Sequence, residues 1–444
     1  MEHKDSFTEG KIAGPLMRFA LPVLLAMCLQ SLYGAVDLLV VGQFGTAAEV
    51  SAVATGSQMM QLVTTVFTGL AMGTTIVLGQ MIGGGRKKEA GDVIGSSICL
   101  FLSLAVAVTI LMFIIAIPFA HLMQTPEEAF SQTLSYVRIC SGGIVFIVAY
   151  NVLGSIFRGI GDSKTPLLTV AIACVFNIAG DLFFVGALHM RAAGAALATV
   201  LAQAISVVIS IMIIRKKGLP FSFGRENVRF CKRHIHRMVK NGVPIALQDS
   251  LVALSFLVIN SIVNSLGVIF SAGVGVAEKV CAFIMLVPMS FSQSLSAFVA
   301  QNVGAGNYTR AKKSMEYAMG MSIVAGVILA YIAYFHGSLL GSIFTKDHEV
   351  IMASADYLKA YAIDTLMVSF LFCFVGYFNG CGYTTFVMIQ GLAGAFLVRI
   401  PISWFMSRLP ETNLFKIGLA TPASTIVGMT LCIVYFFVTS RKAD

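Results

Sequence analysis

The chain has 444 residues, of which 57% are hydrophobic and 11% charged, with a formal net charge of +9. A soluble domain carries roughly 25% charged residues, so this composition excludes a globule solvated by water. Nucleic-acid binding is excluded as well, because the basic residues sit in short loops between apolar runs and form no continuous patch.

Apolar stretches recur along the whole chain, and each is long enough to cross a hydrocarbon core of ~30 Å as a helix. The runs are continuous rather than alternating and rich in Leu, Ala, Met and Gly, which selects helices over a barrel. In chain order the expected helices cover 15–42, 51–82, 92–118, 131–157, 165–188 and 193–214. After a charged segment come 243–267, 274–302, 312–341, 354–380, 384–408 and 415–439. The fold class is therefore an all-α integral membrane protein of twelve transmembrane helices. The charged segment suggests a division into an N-lobe (1–214), a basic linker (215–242) and a C-lobe (243–444). The first nineteen residues are polar and charged without a cleavable signal pattern, so the first helix is expected to stay in place.

Loop charge sets the expected orientation. With a cytoplasmic N-terminus, 22 of the 30 Lys and Arg residues fall inside. They include Lys4, Lys11 and Arg18, the Arg86–Lys88 turn, Arg158 and Lys164, the 215–242 segment, Arg310, Lys312 and Lys313, and Arg441 and Lys442. The positive-inside rule then places both termini in the cytoplasm.

The two halves repeat. Gln80-x-x-Gly83-x-Gly85, followed by Ala90, matches Gln301-x-x-Gly304-x-Gly306, followed by Ala311, 221 residues later. Phe157-x-Gly159-x-Gly161 matches Phe378-x-Gly380-x-Gly382 at the same offset, and Tyr136 matches Tyr357. Leu21-Pro22 matches Val243-Pro244 with one residue inserted. Six helices is an even number, so the second copy enters the membrane in the same sense as the first. The expectation is two six-helix bundles in parallel repeat, a common transporter architecture. Gly83-Gly84-Gly85 follows a membrane helix rather than a strand and reads as a tight turn, not a phosphate cradle. Gly69-x-x-x-Gly73 reads as close helix packing.

Ionisable side chains inside the bilayer are costly and are functional candidates. Asp37 and Asp181 form the strongest pair. Asn177 lies four residues before Asp181, on the same helix face. Asp181 is roughly 22 Å along its helix from Pro166, and Thr199 is ~9 Å down from the opposite start of the next. Asp37 is near the outer end of the first helix. Carboxylate, amide and hydroxyl oxygens on three helices thus share one depth and suit a hard cation such as Na⁺, and a carboxylate pair there can also hold a proton. Asp249, Asp364 and Glu278 form a possible second polar site in the C-lobe. Arg399 also needs a partner, expected to be Asp364 or Glu278. No histidine falls at a helix centre, the nine cysteines form no C-x-x-C pair, and no nucleotide loop or metalloprotease motif is present. An enzyme or an ATP-driven pump has no residues to support it, and no cofactor is expected beyond the coupling ion.

The sequence resembles the MATE family, the multidrug and toxic compound extrusion transporters, over essentially its whole length. The resemblance is carried by Leu21-Pro22, Val36-Asp37-Leu38 before Gly42, Gly79-Gln80 through Gly85, and Asn177-x-x-x-Asp181. Phe157-Arg158-Gly159-x-Gly161-Asp162-x-Lys164-Thr165-Pro166 carries it too. It implies two lobes that alternate between inward-facing and outward-facing states and export hydrophobic, often cationic, drugs against Na⁺ or H⁺. It assigns the N-lobe cation site to Asp37, Asn177, Asp181 and Thr199, with Asn151 and Tyr136 close by. Some relatives carry a glutamate midway down the seventh helix. Here that position reads near Val252, with Asp249 close but out of register, so coupling is expected in the N-lobe. The implied setting is a bacterial plasma membrane, with the chain as a monomer and small lipophilic cations, Na⁺ or H⁺, and the bilayer as its partners. Two alternatives are a lipid-linked sugar flippase of the same superfamily, which would need a cationic cavity, and a scaffold or receptor that transports nothing.

Overall fold

The computed structural model describes residues 7–440. Lys4, Arg441 and Lys442, counted above on the cytoplasmic side, lie outside the described residues. Among the described residues there is no strand. The first half comprises α1 (Ala13–Phe44), α2 (Ala47–Gly83), α3 (Lys87–Leu122), α4 (Glu127–Gly142 and Ile144–Ile160), α5 (Lys164–Asp181, continued by a π turn over Leu182–Ala187) and α6 (Arg191–Lys217). The second comprises α7 (Lys232–Asn264), α8 (Val268–Gly304), α9 (Tyr308–Phe335), α10 (His348–Cys381), α11 (Thr384–Leu392, a π turn over Ala393–Arg399, then Ile400–Ser407) and α12 (Leu414–Gly418 and Ala420–Ser440). Eleven of these are long and apolar enough to span a membrane. The two pieces of α4, bent by 55°, make a twelfth span when taken together. The bend falls at Gly143, where a Cβ would collide with the side chain of Val200 on α6.

The repeat is legible in the backbone. Gly85 (φ 70°) and Gly306 (φ 73°) both adopt the left-handed conformation, as do Gly161 (φ 94°) and Gly382 (φ 87°). Each pair is separated by the repeat offset, and only glycine enters this region without steric cost. Gly161 closes the end of α4, and Asp162 then caps α5. Its Oδ1 accepts from the backbone N–H groups of Lys164 and Thr165, both at 3.0 Å, and its Oδ2 from the Thr165 hydroxyl at 2.5 Å. The Gly-Asp-x-Lys-Thr-Pro run is thus a stop signal and a start signal placed back to back. Gly159 and Gly380 also match, since a Cβ on either would press on α2 at Thr75 and Leu78, or on α8 at Ser296 and Val299.

By contact the chain forms two compact units, 21–246 and 1–20 with 247–444. In the first, the segment read as a linker proves to be structured. α7 begins at Lys232, well before the expected start at 243. Its first turns carry Lys, Arg and His, which hid them from a hydropathy reading, yet Met238 and His234 are buried. Met238 packs on Thr74 of α2 and His234 lies near Glu89 and Asp92 of α3, and Gly69, Gly73 and Gly242 let the backbones of α2 and α7 touch. A Cβ on Gly69 would meet Ala246, and one on Gly73 the Met238 carbonyl. Arg237 donates to Gln80 at 2.9 Å. Upstream, residues 221–231 run as a strap across α3. Asn227 and Arg229 donate to Asp92 at 2.9 and 3.3 Å, and the Ser96 hydroxyl donates to the Arg229 carbonyl. Gly91 and Gly95 leave room for the strap, since a Cβ there would strike Ser222 and Asn227.

Gly69→Leu should drive a side chain into α7 and cost about 1–3 kcal/mol as overpacking, read as a lower melting temperature in detergent. Gly320→Ala in α9, where a Cβ meets nothing within 4 Å, should hold or raise it, since alanine favours a helix by about 1 kcal/mol over glycine.

Candidate functional site

Asp37, Asn177, Asp181 and Thr199 converge within the unit formed by 21–246. Asp37 is seven residues from the end of α1, Asp181 six from the end of its π-extended helix, and Thr199 eight from the start of α6. At 1.5 Å per residue all three lie about 9–12 Å from the same membrane end. α5 and α6 approach closely there, because Gly180 puts no side chain between itself and Ala198. A Cβ would stand 3.0 Å from that of Ala198. Asp181 sits where α5 passes into its π turn, a local widening that recurs at functional sites.

The hydrogen bonds run in a chain. Asn177 Nδ2 donates to Thr199 Oγ1 at 3.5 Å, and Thr199 Oγ1 donates to Asp37 Oδ2 at 3.3 Å. The Asp37 and Asp181 carboxyls lie close enough to act on each other electrostatically. Asp37, Asn177 and Asp181 are all buried, Asp181 completely. Asp37 Oδ1, Asn177 Oδ1, both oxygens of Asp181 and Gln203 Oε1 are buried and accept from no donor. No ion pair joins either aspartate to a Lys, Arg or His among the described residues. A buried carboxylate without a partner costs several kcal/mol, so facing acids without a base require a cation or a proton between them. No group of three His, Cys, Asp or Glu side chains gathers among the described residues. The all-oxygen donor set suits a hard monovalent cation rather than a transition metal.

Several neighbours escaped the sequence reading. A small cavity of about 10 Å³ beside the cluster is lined by Tyr33, Tyr150, Asn177, Thr199 and Gln203, together with two alanines. This is about the room for one water-sized guest. Tyr33 lies four residues before Asp37 and Gln203 four after Thr199, so helical spacing alone extends the site by one turn. Gln30 Nε2 donates to the Tyr150 hydroxyl at 2.8 Å. On the other side the site is roofed. Phe44 packs on Gly186, and Arg191 pairs with the buried Glu49 at 3.3 Å.

Tyr136 is buried with its ring against Gly56, within electrostatic range of Asp37. Asn151 is engaged elsewhere. Its Nδ2 donates to the Ile147 carbonyl at 2.8 Å and its Oδ1 accepts from Thr68 at 3.1 Å, and neither partner belongs to the cluster.

The second unit does not reproduce this arrangement. With the one-residue insertion seen at Pro244, Asp37 falls on Ile259, and at the 221-residue offset Asp181 falls on Ile402. Asp364, fully buried, accepts from Thr425 at 2.5 Å, and Glu278 accepts from Asn260 at 3.2 Å. The expected ion pair of Arg399 with either acid does not form. Arg399 donates to Ser255 at 3.5 Å and lies over the Phe256 ring, 4.6 Å from its centroid. An aromatic face and a hydroxyl solvate the guanidinium here, and Asp364 acts on it only at longer range. Asp249 is exposed on α7, and no ion pair or hydrogen bond reaches it among the described residues.

Comparison with known proteins agrees with this architecture. The MatE family model matches residues 22–183 and 244–405, one copy in each half. The chain is 27% identical over 441 residues to the probable multidrug resistance protein YpnP of Bacillus subtilis strain 168, covering 97% of this chain and 96% of that one. It is 24% identical to the probable multidrug resistance protein YoeA of the same organism, over 96% and 93% of the two chains. A crystal structure of a MATE protein in complex with MaL6 superposes with a TM-score of 0.91 at 18% identity, covering 100% and 99% of the two chains. With two copies of the family unit spanning most of its length and twelve helices in two repeated halves, the chain belongs to the MATE family of multi-pass membrane transporters.

Proposed function

We propose that the protein is a secondary active exporter of hydrophobic, cationic compounds, which it antiports against Na⁺ or H⁺ by alternating access of its two halves. The observation that carries this reading is the set of buried, donorless oxygens of Asp37, Asn177, Asp181 and Gln203, closed into one cluster through Thr199. A structural polar cluster would satisfy its own acceptors, whereas a coupling site must leave them free for its ion. Occupation by a cation or a proton removes the repulsion between the two carboxylates and draws α1, α5 and α6 together. Release restores the repulsion. That difference between loaded and unloaded packing is what a coupled transporter needs in order to bias one conformation. The membrane potential contributes ~2.3 kcal/mol per charge per 100 mV, which supports about fifty-fold accumulation for each coupled charge. The proposed setting is the plasma membrane of a bacterium, with both termini cytoplasmic and the monomer as the working unit.

The test is efflux of a fluorescent lipophilic cation from proteoliposomes under an imposed Na⁺ gradient and, separately, a pH gradient. The gradient that drives efflux names the ion, and Asp37→Asn and Asp181→Asn should each abolish driven efflux while the protein remains monodisperse. Undiminished efflux in both variants would sink the assignment.

Asn177→Ala should weaken apparent cation affinity by about ten-fold, the effect of losing one buried polar ligand. Asn151→Ala should leave the affinity unchanged, because its amide serves Thr68 and its own helix. Equal losses in the two variants would return Asn151 to the site.

A further inference from the structure

The two units treat equivalent places with opposite charge. In the first, the strap ahead of α7 is held on α3 by an acid, Asp92, which is taken up by Asn227 and Arg229. In the second, the segment ahead of α1 lies along α9 and is held by a base. Arg310 donates from Nε to the Phe7 carbonyl at 2.9 Å, from Nη1 to Gly10 at 2.6 Å, and from Nη2 to Glu9 and Lys11 at 2.8 and 3.2 Å. Asn302 also donates to the Phe7 carbonyl at 3.1 Å, and the Phe7 ring is buried between Phe19 and Phe298. At the repeat offset Arg310 stands where the first half has Glu89, and Lys313 where it has Asp92.

The inversion has a chemical result. Asp92 is neutralised by its own strap, whereas Arg310 spends its donors on neutral carbonyls and keeps its charge. Between the segment and α9 lies a groove of about 740 Å³, bordered by Lys11, Arg310, Lys313 and Tyr317, with Glu9 as its one acid among the described residues. Lys11 and Lys313 are exposed, and their ammonium groups make no ion pair or hydrogen bond among the described residues. The groove therefore carries three cations against one carboxylate. It opens at the starts of α1 and α9, the helix ends that the loop charges of the sequence assign to the basic face of the membrane.

We propose that this groove is a binding site for a phosphate monoanion or diester, supplied by the headgroup of an anionic phospholipid in the adjoining leaflet. Lys11 and Lys313 contact the phosphate from opposite walls. Arg310 fixes the Lys11 wall in place by holding its backbone. Tyr317, half exposed, lies along the groove as an interfacial aromatic against the glycerol and upper acyl region. Basic pockets beside membrane helices on such a face take anionic headgroups, and the volume is that of a small-molecule site rather than a single ion.

The test uses the purified full-length chain in detergent, titrated with phosphatidylglycerol or phosphatidylcholine and read by native mass spectrometry. Phosphatidylglycerol should be retained preferentially. Lys11→Gln and Lys313→Gln should each weaken that retention about five-fold, the worth of one lysine near an anionic surface, and Lys313→Glu should weaken it further. Lys87→Gln with Lys88→Gln, in the corresponding turn of the other half, should leave it unchanged. Millimolar inorganic phosphate separates the two sources of the group. If it fails to displace the lipid, the diester headgroup is the ligand; if it displaces it fully, the site is a free-phosphate site of the same chemistry. Equal retention of both lipids, or undiminished phosphatidylglycerol retention in a monodisperse Lys11→Gln/Lys313→Gln variant, would overturn the proposal. So would an equal loss in the Lys87/Lys88 variant.

Discussion

A carboxylate inside a bilayer has no water to solvate it, and two facing carboxylates repel each other across a medium that screens poorly. Asp37 and Asp181 stand in that situation without a basic partner, and much of the first unit can be understood as the means of holding them there. The close approach of Gly180 to Ala198 brings α5 against α6. The π turn after Asp181 ends the regular helix at the residue that must be aimed. From α6, Thr199 ties α5 to α1 with one hydroxyl, accepting from Asn177 and donating to Asp37. Each device positions an oxygen, and none supplies a compensating positive charge.

The parallel repeat shows which features belong to folding and which to the site. The left-handed glycines and the glycines facing α2 and α8 occur in both halves, because both must make the same turns and the same close crossings. The acids do not recur. Ile259 and Ile402 occupy the places of Asp37 and Asp181, and the acids of the second unit are placed differently. Asp364 has its own hydroxyl donor, Glu278 its own amide, and Arg399 rests on an aromatic ring. A duplicated scaffold has thus kept its packing rules and diverged in its polar interior.

The sequence is most legible where a strong physical penalty leaves a mark on composition. Hydrocarbon solubility marks the twelve spans, steric exclusion marks the glycines at turns and crossings, and the cost of burying charge marks Asp37 and Asp181. Interactions that involve uncharged or exposed groups leave weaker marks. Tyr33 and Gln203 look like ordinary helix residues until their spacing from Asp37 and Thr199 is noticed. Asn151 resembles a site residue by its place on α4, yet its amide is satisfied by Thr68 and its own backbone, a pairing that only coordinates reveal. Arg399 was expected to need a carboxylate because sequence does not show that a phenyl face lies beneath its guanidinium. The early start of α7 was hidden for another reason. Its first turns are polar enough to read as loop, while Met238 and His234 are buried by α2 and α3.

The strap across α3 bears on how the protein is made. Gly91 and Gly95 form a bare track that Ser222 and Asn227 cover, and Gly69 and Gly73 form another that is covered by Met238, Gly242 and Ala246. A nascent chain that has delivered six helices to the membrane has therefore not yet delivered the pieces that close them. The first unit reaches its full set of contacts only after the chain through Ala246, with the leading turns of the seventh helix, has emerged from the ribosome. Folding of the first half is in this way coupled to the start of the second, and a boundary drawn in the charged segment marks a change of composition rather than a point at which synthesis could pause with a finished domain.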